Sequence, residues 1–175
     1  TFQTTVGFRA IDDSGKQIGL ASRVLAPKGR ISVTASSLFS GLQGTGWVEV
    51  TSDLPTVASE LYGDMLYGGV AALPGSKIGT SLVLPHFHAS SRWWTGLSVV
   101  NPNASSVSVT LTARSNAGAQ LGQLTQTIPG KGKLAGQVDL LFGLSNQTGW
   151  IDVASTGGPV AVELTYGLER IVMYL

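Results

Sequence analysis

The stretch Thr45–Val50 (TGWVEV) returns 103 residues later as Thr148–Val153 (TGWIDV). Around these stretches, residues 6–61 align with residues 109–164 without a gap. In both copies aliphatic residues alternate with a tryptophan and an acid, which is the pattern of a strand with one buried face. A gapless repeat of this length predicts a tandem duplication, and its period is close to the size of an immunoglobulin-like sandwich, about 100 residues.

The rest of the repeat predicts an all-β protein. Val107–Arg114 alternates apolar and polar residues, a turn at Ser115–Gly118 follows, and no segment carries a sustained helical stripe. We therefore expect two tandem immunoglobulin-like antiparallel β-sandwiches, the first over residues 1–74 and the second over residues 75–175. Glycines and a proline predict the connection between residues 63 and 80. Helix is expected only as short turns at 36–42 and 139–144, the second capped by Asp139.

Composition and charge exclude several classes of function. The chain has 175 residues, 12% of them charged, with a net charge of +1, 23 glycines and no cysteine. A balanced charge argues against electrostatic binding of nucleic acid, which needs a basic surface. The lack of cysteine excludes disulfides, thiolate metal sites and cysteine nucleophiles. No apolar run reaches the ~18 residues of a membrane helix, so we expect no membrane span. Low charge with many glycines favours an extracellular or cell-surface protein.

The two copies differ at their beginning. The second copy has the segment Trp93–Asn103 before its matched region, whereas the counterpart in the first copy would precede Thr1. The first sandwich is therefore predicted to lack its opening strand, unless upstream sequence or Thr1–Thr5 supplies it. A strand borrowed from another copy would give head-to-tail contacts, and contacts that do not close would give a filament. The candidate donor strand is the C-terminal run of Arg170, Ile171, Val172, Met173, Tyr174 and Leu175.

The apolar faces of neighbouring strands predict a pairing register around each Gly-Trp. A loop at residues 52–55 would align the aliphatic faces of the two flanking strands, and a slip by two residues would bring two glutamates together. The predicted cross-strand pairs are Val50 with Val57, Trp47 with Glu60, and Trp150 with Glu163. In this register both tryptophans face outward.

Adjacent tryptophans on a strand face opposite ways. Parity with Leu97 and Val99 predicts that Trp93 is buried and that Trp94 is exposed. Exposed aromatic rings on a sandwich either stack on sugar rings or pack against a neighbouring domain, and packing is the favoured interpretation. The candidate ligand or interface residues are Trp94, Trp47, Trp150, Glu60 and Glu163.

Three groups of residues could start a chemical site. His86 and His88 could begin a metal site but lack a third ligand nearby, and ordinary polar positions are favoured. The acids Glu49 with Glu60, and Asp152 with Glu163, could act as paired carboxylates in glycoside hydrolysis, but their repetition favours a scaffold role. Asp12–Ser14 could bind calcium, and a solvated hairpin turn explains it equally well. We therefore expect no catalytic residue, no metal and no cofactor.

Several short motifs resemble a family of bacterial extracellular β-sandwich repeats. They are Leu84–Phe87 (LPHF), Trp94–Asn103 (WTGLSVVNPN) and the Gly-Trp strands at Gly46 and Gly149. The resemblance implies a secreted or surface protein, and no catalytic residue carries over from the family.

The resulting expectation is a non-catalytic extracellular structural, assembly or adhesion protein. Its partners would be other copies of itself or neighbouring surface domains. The alternative is a carbohydrate-binding module that binds polysaccharide through an exposed tryptophan. A hydrolase would need a deep cleft that holds a carboxyl group with a raised pKa.

Overall fold

A computed structural model describes residues 2–63, 70–90 and 92–168. The regular structure of these residues is almost entirely β, and every strand pair is antiparallel. The all-β prediction is confirmed. The chain divides between Gly75 and Ser76 into two compact units, called unit 1 and unit 2 below.

Unit 1 contains a three-stranded sheet and a separate two-stranded sheet. The sheets have the strand orders β2-β1-β3 and β4-β5. The elements are β1 (Thr4–Asp12), β2 (Gln17–Leu25), α1 (Ala35–Leu38), β3 (Gly46–Ser52), β4 (Ser59–Gly63) and β5 (Val70–Pro74).

Unit 2 is a sandwich of two four-stranded sheets, with the orders β10-β9-β12-β7 and β11-β8-β13-β6. The core between them is made of alternate residues from both sheets, including the fully buried Phe87, Val99 and Leu111. The elements are β6 (Ile78–Gly79), β7 (Ser81–Ala89), β8 (Trp93–Val100), β9 (Val107–Ser115), β10 (Gln120–Ile128), β11 (Lys133–Gln137), α2 (Val138–Phe142), β12 (Gln147–Thr156) and β13 (Val160–Leu168).

The first hairpins of the repeat have the same geometry in both units. Strands β1 and β2 begin and end 103 residues before β9 and β10, and each pair carries one register shift, at Ile18 and at Leu121. The turns that follow also agree, because Lys28 has φ 58° and Lys131 has φ 62°. Residue-by-residue comparison of the two hairpins is therefore justified. A common origin by duplication stays a prediction.

The predicted pairing of each Gly-Trp strand with the next strand is wrong. Strand β12 pairs with β9 and β7, so Trp150 lies opposite Arg114, while Glu163 on β13 lies opposite Ser98 in the other sheet. In unit 1 Trp47 lies opposite Ile11, and Glu60 opposite Leu73. The connection at residues 157–159 crosses from one sheet of unit 2 to the other, so the apolar faces of β12 and β13 meet across the core instead of lying side by side.

The expected helix cap is also corrected. The N-cap of α2 is Gln137, without a side-chain hydrogen bond, because the helix begins at Val138 and leaves Asp139 inside its first turn. In α1 the cap is Thr34, whose hydroxyl accepts from the Ser37 N–H at 3.2 Å. The range predicted to hold the connection between the domains, residues 63–80, contains the division between the units and also β5 and β6, which pair with β4 and β13. Within the described ranges, no helix has the length and apolar character needed to cross a membrane.

Candidate functional site

The inner face of unit 1 is open to solvent at positions that form the core of unit 2. The three clearest positions lie 103 residues from a buried counterpart. Val48 is 45% exposed and Ile151 0%, Val50 is 38% exposed and Val153 2%, and Val57 is 99% exposed and Val160 0%. The same kind of side chain is therefore buried in one unit and exposed in the other.

In the part of the chain that the structure describes, the difference follows from a missing cover over β3. In unit 2 the face of β9 and β12 packs against β8 and β13, which contribute Leu97, Val99 and Val160 to the core. In unit 1 Phe39 lies over Gly19 and the neighbouring Ala10, and Ala10 is only 2% exposed. Val6, on the same strand, is also buried, at 5%. The Phe39 ring lies so close to Gly19 that a side chain there would clash. Among the described residues no comparable cover lies over the β3 side of the face, and its valines are exposed.

One end of unit 1 holds a groove lined by both apolar and polar side chains. A groove of about 330 Å³ lies between the start of β1, the end of β2 and the loop after β3. Phe2, Val24 and Leu54 line it and are 82%, 63% and 38% exposed. The residues 103 positions later are Ser105, Thr127 and Gly157, which are polar or small. This groove is therefore particular to unit 1.

The corresponding end of unit 2 is closed by Asn101. This side chain is fully buried, and its Nδ2 donates to the carbonyl oxygens of Ser105 at 2.9 Å, Ile128 at 3.1 Å and Pro129 at 2.9 Å. Its Oδ1 accepts from the Asn103 backbone N–H at 2.9 Å. Asn101 thus ties the end of β8 to the end of β10. This role of Asn101 was not predicted from the sequence, although an Asn-Pro-Asn turn directly after a strand is a signal that could have indicated it.

The adjacent tryptophans of β8 do not divide as predicted. Thr95, Leu97 and Val99 point into the core, but Trp93, which shares their parity, is 43% exposed, so its predicted burial is wrong. Trp93 is the first residue of the strand and lies beyond the core, with its ring tilted against His88 at 6.5 Å. Trp94 lies on the outer side but is only half-buried, with its ring against the backbone of Gly96.

The outward acids form ion pairs on separate sheets. Arg114 Nε donates to Asp152 Oδ2 at 2.6 Å, and its guanidinium lies 5.6 Å from the centre of the half-buried Trp150 ring. In unit 1 Arg9 Nη1 lies 3.3 Å from Glu49 Oε2, and Trp47 is half-buried. These contacts favour a structural role for the outer faces of both sheets.

The predicted carboxylate pairs do not exist as pairs. Glu49 and Asp152 lie on β3 and β12, whereas Glu60 and Glu163 lie on β4 and β13, in different sheets. Glu163 Oε1 accepts from the Ser76 hydroxyl at 2.5 Å, and Glu60 is exposed. The structure therefore gives no support to a two-carboxylate glycosidase geometry.

The metal candidates are occupied by local hydrogen bonds. Asp12 Oδ1 accepts from the Ser14 hydroxyl at 2.7 Å and from the backbone N–H of Ser14 and Lys16 at 2.9 Å each. These bonds, that of the Ser14 hydroxyl first, hold the pKa of the Asp12 carboxyl below its ordinary value. His88 Nε2 lies 3.1 Å from the Ser90 hydroxyl. Among the described residues no group of three or more His, Asp or Glu side chains could hold a metal ion.

The comparisons with known proteins are negative. No protein-family model, curated protein or solved structure matches the chain significantly.

The predicted donor strand, residues 170–175, lies outside the described residues. The features that define a candidate site are therefore the exposed valines of unit 1 and the end of that unit.

Proposed function

We propose that the protein is a non-catalytic extracellular structural or assembly protein in which unit 1 accepts a β-strand from a second copy. The observation that carries this proposal is the exposure of valines whose counterparts form the core of unit 2, above all Val57 against Val160. Apolar side chains that are exposed where their counterparts form a core point to an interaction surface. An extended strand that covers this surface would restore the sandwich arrangement of unit 2.

The chemistry of the chain supports assembly over catalysis. The acids that could act as catalysts are held in ion pairs or hydrogen bonds on separate sheets. One acceptor and one donor in each copy would make a head-to-tail contact, and a contact that does not close would build a filament. The C-terminal run Arg170–Leu175 is the donor candidate in this sequence. The resemblance to bacterial surface repeats agrees with an extracellular or adhesive role.

The test is the solution mass measured by light scattering over a concentration series. We expect the mass to rise above 18.1 kDa with concentration. Val50→Asp, which charges the open face, should keep the chain monomeric. Val33→Asp should assemble like the unchanged chain, because Val33 is exposed, at 43% against 38% for Val50, but lies outside the sheets. A constant mass of one chain at all concentrations would contradict the proposal. If residues 170–175 are the donor, a chain that lacks them should keep the mass of one chain at all concentrations.

The carbohydrate alternative has one observation in its favour. Trp93 is 43% exposed at the end of the unit 2 sandwich, beside the His88 ring. A sugar platform would therefore use Trp93 in preference to the half-buried Trp94. Polysaccharide that quenches tryptophan fluorescence in the unchanged chain but not in Trp93→Ala would support this function. Equal quenching in the unchanged chain and in Trp93→Ala would rule out a sugar platform at Trp93.

A further inference from the structure

Strand β2 of unit 1 carries apolar side chains on its outer face. Leu20 lies opposite Arg9 and Val24 lies opposite Thr5, so both point to the same side of the sheet as the ion pair of Arg9 with Glu49. Leu20 is 70% exposed and Val24 is 63% exposed. Two exposed aliphatic side chains on one face of a strand form a candidate interaction surface.

The exposure of these two positions does not come from a missing cover. Their counterparts in unit 2, Gln123 and Thr127 on β10, are exposed as well, in a sandwich that has both of its sheets. The difference lies in the side chains, since unit 2 has polar residues where unit 1 has a leucine and a valine. The apolar outer face of β2 is therefore a property of the sequence of β2 itself.

Strand β2 also lies at the edge of its sheet. Among the described residues it pairs with β1 alone and so ends the three-stranded sheet. Edge strands are commonly protected by charged residues or by proline, as Pro85 protects the edge strand β7 of unit 2. Strand β2 contains no proline, and its one charged residue, Arg23, lies opposite Val6 on the inner side. The main-chain groups along this edge can pair with a further strand.

We propose that β2 pairs antiparallel with β2 of a second copy, about a two-fold axis at Ser22. The regular part of β2 runs from Gly19 to Leu25, because the register shift lies before Gly19, and Ser22 is the middle residue of this part. Pairing about Ser22 uses the whole regular part of both strands. It places Leu20 of each copy opposite Val24 of the other, on the outer face.

The neighbouring registers are less favourable. The outer faces of the two strands stay together only when the register shifts by two residues. A shift in one direction moves the axis to Arg23 and places the two guanidinium groups opposite each other, which like charges disfavour. A shift in the other direction moves the axis to Ala21 and places Val24 opposite Ile18, outside the regular part. In the proposed register Arg23 lies opposite Ala21, so the strand is complementary to itself and a second copy is the partner that fits.

This contact goes beyond the proposed strand donation and does not depend on it. It lies at β2, whereas the proposed acceptor face lies at β3, on the opposite edge of the sheet. Two apolar side chains from each copy are few beside the about 20–30 residues a side of a stable interface, so a single contact is transient. A two-fold contact closes on itself and gives pairs. Repeated in every copy of two filaments, it would hold them side by side.

Disulfide trapping tests this register, because the chain has no cysteine of its own. In the proposed pair Ser22 lies opposite Ser22 of the second copy. Cβ atoms of directly opposite residues lie about 4.5–5.5 Å apart, close to the about 3.5–4.5 Å of disulfides. The full chain with Ser22→Cys is oxidised with copper phenanthroline, and the covalent dimer is measured by non-reducing electrophoresis. The matched control is Thr125→Cys, since Thr125 is the exposed counterpart of Ser22 on the edge strand β10.

We expect Ser22→Cys to form the covalent dimer at least about tenfold faster than Thr125→Cys, because two Leu–Val pairs favour the encounter. Adding Leu20→Gln and Val24→Thr, which are the residues of unit 2, should reduce the rate to that of the control without a change in charge. Equal rates for the two cysteine variants would overturn the inference, as would a rate that the two added substitutions leave unchanged. Strand donation would bring copies of both cysteine variants together alike, so it is decided separately by the mass of the unchanged chain.

Discussion

Two valines at corresponding positions should differ strongly in what the same truncation costs. Val160→Ala removes two methyl groups from a side chain that is 0% exposed. At ~0.8 kcal/mol for each buried carbon, the lost transfer free energy is about 1.6 kcal/mol. The cavity that remains raises the loss of unfolding free energy to about 2–3 kcal/mol. Val57→Ala removes the same groups from a side chain that is 99% exposed, so its cost should stay within about 0.5 kcal/mol.

The assay is urea unfolding followed by amide NMR, which reports the two units separately. Val160→Ala should shift the transition of unit 2 and leave that of unit 1 in place. Val57→Ala should shift neither. An intermediate loss is expected for Val50→Ala, because Val50 is 38% exposed, and its counterpart Val153→Ala should resemble Val160→Ala. If Val57→Ala destabilised unit 1 as much as Val160→Ala destabilises unit 2, the claim that this face of unit 1 is open to solvent would be refuted.

Three further outcomes are expected. Asn101→Ala should lower the stability of unit 2 by about 3 kcal/mol in thermal unfolding, because three carbonyls lose a buried donor, and a loss below about 1 kcal/mol would contradict its role. Gly149→Ala should prevent unit 2 from folding, seen by circular dichroism, since its Cβ would overlap the Arg114 carbonyl; Gly75→Ala, with only ordinary contacts, should fold normally. Asp12→Asn should destabilise the first hairpin at neutral pH. The folded-state pKa of Asp12 lies below the unfolded one, so its contribution is present above the unfolded pKa and disappears as the pH falls through the folded-state value. If the difference in stability between the unchanged chain and Asp12→Asn were the same at all pH values, the charge of Asp12 would have no part in it.

Alternation of apolar and polar residues was sufficient to predict the all-β class and the first hairpin of each repeat. Val107–Arg114 lies within β9, and the glycine turns fall where positive φ is needed, at Gly15 and Gly118. These features are local, and period-two patterns record them directly.

The partners of β12 and β13 could not be predicted in this way. Two apolar faces satisfy the same pattern whether they lie side by side in one sheet or face each other across a core. Only the crossing at residues 157–159 distinguishes these arrangements. The predicted burial of Trp93 was wrong for a related reason. Parity gives the side of the strand on which a residue lies, but not whether the core extends to the first residue of the strand.

That the first sandwich lacks its opening strand stays a prediction. The open face of unit 1 was not predicted residue by residue, because alternation shows which side of a strand is apolar but not whether a second layer covers that side. Val48 and Val50 illustrate this, since they are 45% and 38% exposed.

The most direct test of the central claim is native-state hydrogen exchange of the two middle strands in a dilute, monomeric sample. The claim is that unit 1 alone lacks the cover that completes unit 2. We predict that the amides of Val6–Ala10 in β1 are protected at least about tenfold less than those of Val109–Ala113 in β9. Raising the protein concentration, so that copies associate, should increase the protection of the β1 amides only. Equal protection of the two strands in the monomer would contradict the claim, because it would show that unit 1 is complete without a partner.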